Sequence, residues 1–292
     1  AGIVRAIGNP GERFAEDKLR MLRAVRFAAT MGFEIDPDTQ SAILRQHQSL
    51  RVVSVERITQ ELKRMLSHPS RERALQMLWE TRLLREVLPE LFATFTSGED
   101  TVDEMVRSVV SLLAGLKADA FEPSIAGILV LWHRLITRSS GIPAPEIIEC
   151  ICRRLRLSND EQNAIEWLAR SLPLVEVMQQ QPLHIQKPLL ADVRMPLLID
   201  FLHAIEQQGA AGAQQAEFCR QQLRAHPSEY FNPVPLIDGR TLQESGIAPG
   251  KAMGLILRQI RREQLDEILR DRDAAIQRAC ELAGLLEDQG ST

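Results

Sequence analysis

The chain has 292 residues, 45% hydrophobic and 25% charged, which is enough for roughly two domains with cores of their own. Its formal charge of −4 excludes a polyanion binder by net charge, so any RNA contact must come from local basic faces, and 4% aromatic residues, with Tyr230 the sole tyrosine, argue against an aromatic stacking platform for single strands. The bias toward Leu, Ala, Glu, Gln and Arg, with few β-branched runs, predicts a nearly all-α fold.

The first strong pattern is Arg13 to Phe27. Read as one helix, it has Leu19, Leu22 and Val25 on its apolar side and Asp17 and Arg20 as neighbours three apart. Arg23 and Arg26 continue the three-residue step. Asp is an acceptor only and Arg a donor only. The Watson–Crick edges of adenine and cytosine each present an amine donor beside a ring-nitrogen acceptor, so the pair matches both. Uracil and guanine would leave polar groups unpaired, at about 1–3 kcal/mol each. Such a helix selects A and C without a template, and Arg23 and Arg26 suit phosphates or the base. Spacing alone also fits an amphipathic helix with a solvated basic face, the commoner use of such pairs.

Gly32 ends this pattern, and Asp36-Pro37-Asp38 starts a helix to about Gln48. Ser54 caps a helix with Glu56, Arg57, Ile58, Leu62 and Leu66. Another opens at Ser70, and an apolar patch from Leu83 to Leu88 runs into Pro89. A polar break over about 93–101 is a plausible boundary. Amphipathic Val102–Leu116 precedes a buried helix, Pro123–Ile136, with His133 at its end. A lone His beside Arg134 is a poor metal site and reads as a packed core or interface residue. Pro145–Leu155 and a Ser158-capped second helix form a hairpin whose turn carries Arg153, Arg154 and Arg156, equally suited to phosphate or solvent. Residues of about 179–188 read as a linker or exposed loop, Asp192–Gln208 as a helix, Ala210–Ala213 as a hinge, Ala216–Leu223 as a helix and 226–235 as irregular.

In the tail, Pro249-Gly250-Lys251 opens a long helix to about Arg270. Gly250 lets backbone N–H groups approach a phosphate, while Lys251, Arg258 and Arg262 fall at i, i+7 and i+11 along one stripe. That stripe could track an RNA backbone or be a solvated face. Asp271-Arg272-Asp273 follows this helical pattern rather than a strand, and reads as a decoy, not a metal pair. Cys150, Cys152, Cys219 and Cys280 form no chelating pattern and read as reduced thiols of a cytoplasmic protein. No apolar run approaches the roughly 18 residues of a membrane span, and no membrane partner is expected.

The run Ile3-Val4-Arg5-Ala6-Ile7-Gly8-Asn9-Pro10, then Arg13-Phe14, Glu16-Asp17-x-x-Arg20-x-x-Arg23-Ala24-x-Arg26-Phe27 and Gly32-Phe33 resembles the neck of the bacterial tRNA nucleotidyltransferase / poly(A) polymerase family, the class II CCA-adding enzymes. Likeness continues at Ser54-Val55-Glu56-Arg57-Ile58-x-x-Glu61-Leu62, at Leu84-x-x-x-Leu88-Pro89-Glu90-Leu91 and at Gly246-Ile247-x-Pro249-Gly250-x-x-x-Gly254. The resemblance implies an all-α neck, body and tail, with residues 1–10 a residual β-strand from a catalytic head, 11–92 the neck, 93–235 the body and 236–292 a tRNA-binding tail. It implies that Asp17 and Arg20 read the base of CTP or ATP, and that Glu56 and Arg57 brace the neck. Gly250, Lys251, Arg258 and Arg262 are the candidate RNA contacts. Related chains place a His-Asp doublet in a helix like that of His133; Arg134 in its second position removes a phosphohydrolase reading. The expected activity is CMP and AMP transfer to a tRNA 3′ end, with Mg²⁺ held by a head upstream, so this chain alone is expected to be inactive. A poly(A) polymerase of the same family, a non-catalytic helical RNA-binding adaptor and a purely structural α-domain are the alternatives.

Overall fold

A computed structural model of the chain describes residues 2–92, 99–117, 119–138, 141–207 and 214–290. The expected polar break falls, over 93–98, outside the described residues, as does the hinge expected at 210–213. The fold is all-α, as expected. In chain order the helices are α1 (Pro10–Glu16), α2 (Leu19–Met31), α3 (Pro37–Gln46), α4 (Val55–Leu66), α5 (Arg71–Glu80), α6 (Leu83–Val87), α7 (Glu99–Gly115), α8 (Phe121–Thr137), α9 (Pro145–Arg154) and α10 (Asn159–Val175). They continue with α11 (Leu183–Ala191), α12 (Met195–Glu206), α13 (Gln215–Ala225), α14 (Ser228–Phe231), α15 (Gly239–Glu244), α16 (Lys251–Leu265) and α17 (Arg272–Gly290). The only strands among the described residues are β1 (Ile3–Val4) and β2 (Glu34–Ile35), paired in parallel with Ile3 opposite Glu34.

The helices sort into two compact units, Ala1–Glu176 with Pro196–Ala216, and Val177–Met195 with Glu217–Thr292. In the first, α2 buries Leu19, Leu22, Val25, Ala28 and Ala29. Gly32, at φ 68°, ends it, and the Phe33 N–H returns to the Ala28 carbonyl at 2.9 Å. Asp36 accepts the Thr39 N–H at 3.2 Å to start α3, with Pro37 at its first position. Ser158 and Glu161 form a reciprocal capping box at α10. Helix α8 is apolar nearly all round and accordingly buried, with Trp132 donating to the Leu91 carbonyl.

The second unit closes over Ile237, Leu242, Met253, Ile256, Ile260 and Leu269. Three expectations change in the C-terminal half. Residues 183–191 are a helix, not a linker. Gln186, Lys187 and Leu190 are buried along it, His184 donates its N–H to Asp266 at 2.8 Å, and Lys187 reaches Glu267 at 2.9 Å. Tertiary contacts outweigh the two prolines that marked the segment as a break. Helix α16 stops at Leu265 rather than near Arg270. Glu267 is left-handed at φ 63°, and the Ile268 N–H turns back to the Glu263 carbonyl at 2.9 Å. Helix α12 starts at Met195, after Asp192 folds back onto the Arg194 N–H at 2.8 Å.

Cys150 and Cys280 are exposed, and Cys152 and Cys219 are buried. Burial pushes the Cys152 thiol up to about 11, with Glu166 and Glu161 adding to it. Alkylation of the native protein at pH 8 is therefore expected to label Cys150 and Cys280 and to reach Cys152 and Cys219 only after unfolding. Rapid native labelling of Cys152 would contradict the packing of α9.

Candidate nucleotide and RNA site

Asp17 and Arg20 do not share a continuous helix. Helix α1 ends at Glu16, and Asp17 is extended at φ −142°, ψ 103°. Its carboxylate accepts the Leu19 N–H at 3.2 Å, a local turn that competes with helix continuation. Asp17 thus stands at the N-terminal end of α2, where the helix dipole favours an anion. Its ion-pair partner is Arg57 of α4, one terminal nitrogen of which lies 3.3 and 3.1 Å from its two oxygens. Arg20 instead binds Glu16 at 2.8 Å. The guanidiniums of Arg13 and Arg20 hold the Glu16 carboxyl below the usual carboxylate range. The acceptor and the donor each have a separate counter-charge.

Arg23 and Arg26 converge on Glu61, at 3.4 and 2.6 Å, and Arg64 reaches the same carboxylate at 3.3 Å. Glu61 is only 2% exposed. In the sequence Glu61 stands in the run Ser54–Leu62 that resembles the neck, with no signal of its own for this role. Arg26 also lies over the Phe27 ring at 4.1 Å.

Next to α2 an open cavity of about 380 Å³ takes four arginines into its lining, Arg5, Arg13, Arg20 and Arg23, over the apolar surface of Phe14, Ala24 and Phe27. Asp17 and Arg26 do not line it. Arg5 and Arg13 belong to the runs that resemble the neck, with no site role that spacing assigns to either. Arg5 pairs with Asp36 at 2.9 Å. Burial opposes ionisation of Asp36, but the Thr39 N–H and Arg5 outweigh it and hold its carboxyl low.

In the second unit, Gly250 precedes α16 at φ 158°, ψ −168°, a conformation open to glycine, and no side chain caps the helix. Lys251, Arg258 and Arg262 are exposed and make no ion pair among the described residues. The other candidates are committed elsewhere. Arg153 binds Glu149, Arg154 binds Glu90 and Arg156 binds Glu56. Burial, then the Arg134 charge, lowers the pKa of His133, and Arg134 grips Glu176 at 2.6 and 2.9 Å. Asp271 accepts the Ala274 N–H at 2.9 Å as the cap of α17, so the Asp271–Asp273 pair does not fit Mg²⁺. No cluster of three or more His, Cys, Asp or Glu side chains among the described residues fits a metal.

Residues 32–95 match a family described as the probable RNA and SrmB-binding site of polymerase A. The chain is 30% identical, over 257 residues, to a CCA-adding enzyme of Lacticaseibacillus paracasei, an alignment covering 88% of this chain and 56% of that protein. The fold matches the Bacillus stearothermophilus CCA-adding enzyme crystallised with CTP, at a TM-score of 0.70 and 23% identity over 99% of this chain and 67% of that one. Over most of its length the chain is thus similar in sequence to one CCA-adding enzyme and shares the fold of another. It also shares its fold with a Thermotoga maritima CCA-adding enzyme complexed with tRNA, at a TM-score of 0.57 and 18% identity, covering 96% of this chain and 64% of that one. It spans little more than half the length of the Lacticaseibacillus relative.

Glu61→Ala is expected to destabilise the first unit by about 3 kcal/mol, because it leaves Arg26 partly buried without its counter-charge. Denaturant melts followed by circular dichroism measure this, and a change under about 1 kcal/mol would contradict the role given to Glu61.

Proposed function

We propose that this chain is the nucleotide-selecting and RNA-holding part of a tRNA nucleotidyltransferase. The observation that carries this is the pair at the start of α2. Asp17 offers only acceptors and Arg20 only donors, and each is held in place by a separate counter-charge, Arg57 and Glu16. That arrangement complements the edges of cytosine and adenine and repels those of uracil and guanine.

The rest of the reading assigns work to the neighbours. Arg23 and Arg26 position the base or the phosphates, with Glu61 fixing both guanidiniums. The arginine-lined cavity supplies positive charge for a triphosphate. Residues 11–92 act as neck, 93–235 as body and 236–292 as tail. The body and tail hold the tRNA, with Gly250, Lys251, Arg258 and Arg262 on its backbone. In the reaction the tRNA 3′-hydroxyl attacks the α-phosphorus of CTP or ATP and pyrophosphate leaves. These residues bind and orient the reactants. Mg²⁺ chemistry belongs in this reading to a catalytic head, and the isolated chain is inactive. Nucleotides and tRNA as substrates point to the cytoplasm.

The match of residues 32–95 to a polymerase A family favours poly(A) tailing as the second reading. The product separates them, since CCA addition stops after three nucleotides and tailing does not.

In a head-containing enzyme, Asp17→Ala is expected to let UTP and GTP compete with CTP and ATP, narrowing discrimination by about ten-fold or more, the loss of one buried donor–acceptor mismatch. Single-turnover incorporation with each triphosphate measures it. Discrimination equal to that of the unaltered enzyme would remove base reading from Asp17.

A further inference from the structure

The tail carries a cleft beside the phosphate stripe, and the two share Arg258. It lies between α16 and the segment at 235–239, has a volume of about 390 Å³, and is walled by Leu236, Ile237, Leu257 and Ile260 with Arg258 and Arg261 beside them. The cleft is held in shape by its own hydrogen bonds. Gln264 donates to the Val234 carbonyl at 2.7 Å and accepts the Leu236 N–H at 3.3 Å. Arg261 is spoken for, donating to the Pro233 carbonyl at 2.7 Å and to Asn232 at 2.8 Å.

Arg258 differs. It is exposed, has no ion-pair partner among the described residues, and lines the cleft while also belonging to the stripe of Lys251 and Arg262. Leu255, 50% exposed, sits in that same face. The lining also includes Asp238, whose carboxylate accepts the Thr241 N–H at 2.8 Å. An exposed arginine beside a preformed apolar slot suits a ligand with a charged backbone and a flat apolar appendage. An unstacked nucleotide has both parts, because its base can lie against apolar walls or a guanidinium plane while its phosphate meets a cation. The volume is at the small end of the roughly 300–1,000 Å³ common for small-ligand sites.

We propose that this cleft is a nucleobase pocket, which takes one unpaired base of a bound RNA while Lys251, Arg258 and Arg262 hold the adjoining phosphates. The proposal rests on the RNA-holding role given to the tail above. It differs from a phosphate stripe alone, because the tail then distinguishes RNA with unpaired, splayed nucleotides from plain duplex.

The test is binding of the full chain to a tRNA transcript lacking its CCA end and to a blunt RNA duplex of equal length, each across a salt series. Leu257→Trp fills the cleft and Leu257→Ser strips its wall, and thermal melts identify which variant retains the fold. The folded variant is expected to lose about five-fold or more in tRNA affinity, with an unchanged salt slope and unchanged duplex affinity. Arg258→Ala is expected to weaken both RNAs and to flatten the salt slope by about one. A folded Leu257 variant that binds tRNA as the wild type does, or that loses tRNA and duplex alike, overturns the pocket. Wild-type protein binding both RNAs equally also overturns the pocket but leaves the phosphate stripe standing. Wild-type protein binding neither overturns the RNA-holding role itself.

Discussion

A single buried carboxylate, Glu61, organises the basic face of α2. Three guanidiniums reach it, and two of them, Arg23 and Arg26, come from α2, the helix that follows Asp17. An unpaired carboxylate at that depth would be strongly disfavoured, so the charges fix each other's positions. Helix α4, which carries Glu61, is tied along its length. Arg57 holds Asp17, Thr59 donates to the Leu155 carbonyl at 2.9 Å, and Lys63 meets Glu161 at 2.5 Å. One helix therefore positions the arginines and the acceptor of the candidate site while anchoring itself to the turn between α9 and α10.

The break at Asp17 changes what surrounds its carboxylate. A side chain in the middle of a helix points outward from the axis, and its carboxylate competes with solvent. At the end of α2, Asp17 instead combines its own charge with the exposed N–H groups of the first turn. Its pairing with Arg57, and that of Arg20 with Glu16, keep acceptor and donor from neutralising each other. The cavity beside them is cationic without being wholly polar, since Phe14, Ala24 and Phe27 floor it among four arginines.

The sequence carried the fold class and most helix positions because local signals and burial agree. Gly32, Asp36-Pro37 and the Ser158 capping box each act through a few neighbouring residues. Helix α11 was illegible because its stability comes from Asp266 and Glu267, about 80 residues away in sequence, rather than from propensity. The same limit governs the site. Arg20, Arg23 and Asp17 stand out by spacing, whereas the roles of Glu61 and Arg5 come from partners that folding brings to them. The reading of Arg13–Phe27 as one helix failed at Asp17, where a side-chain hydrogen bond outweighs periodicity.

The most direct measurement is binding of this chain to a tRNA lacking its CCA end across a salt series, with an unstructured RNA of the same length as control. Tight binding that prefers tRNA and weakens steeply with salt is the expected result, since the contacts assigned are cations on phosphates. A folded chain with no affinity for tRNA, or with equal affinity for the control, would contradict the assignment of its body and tail as an RNA cradle.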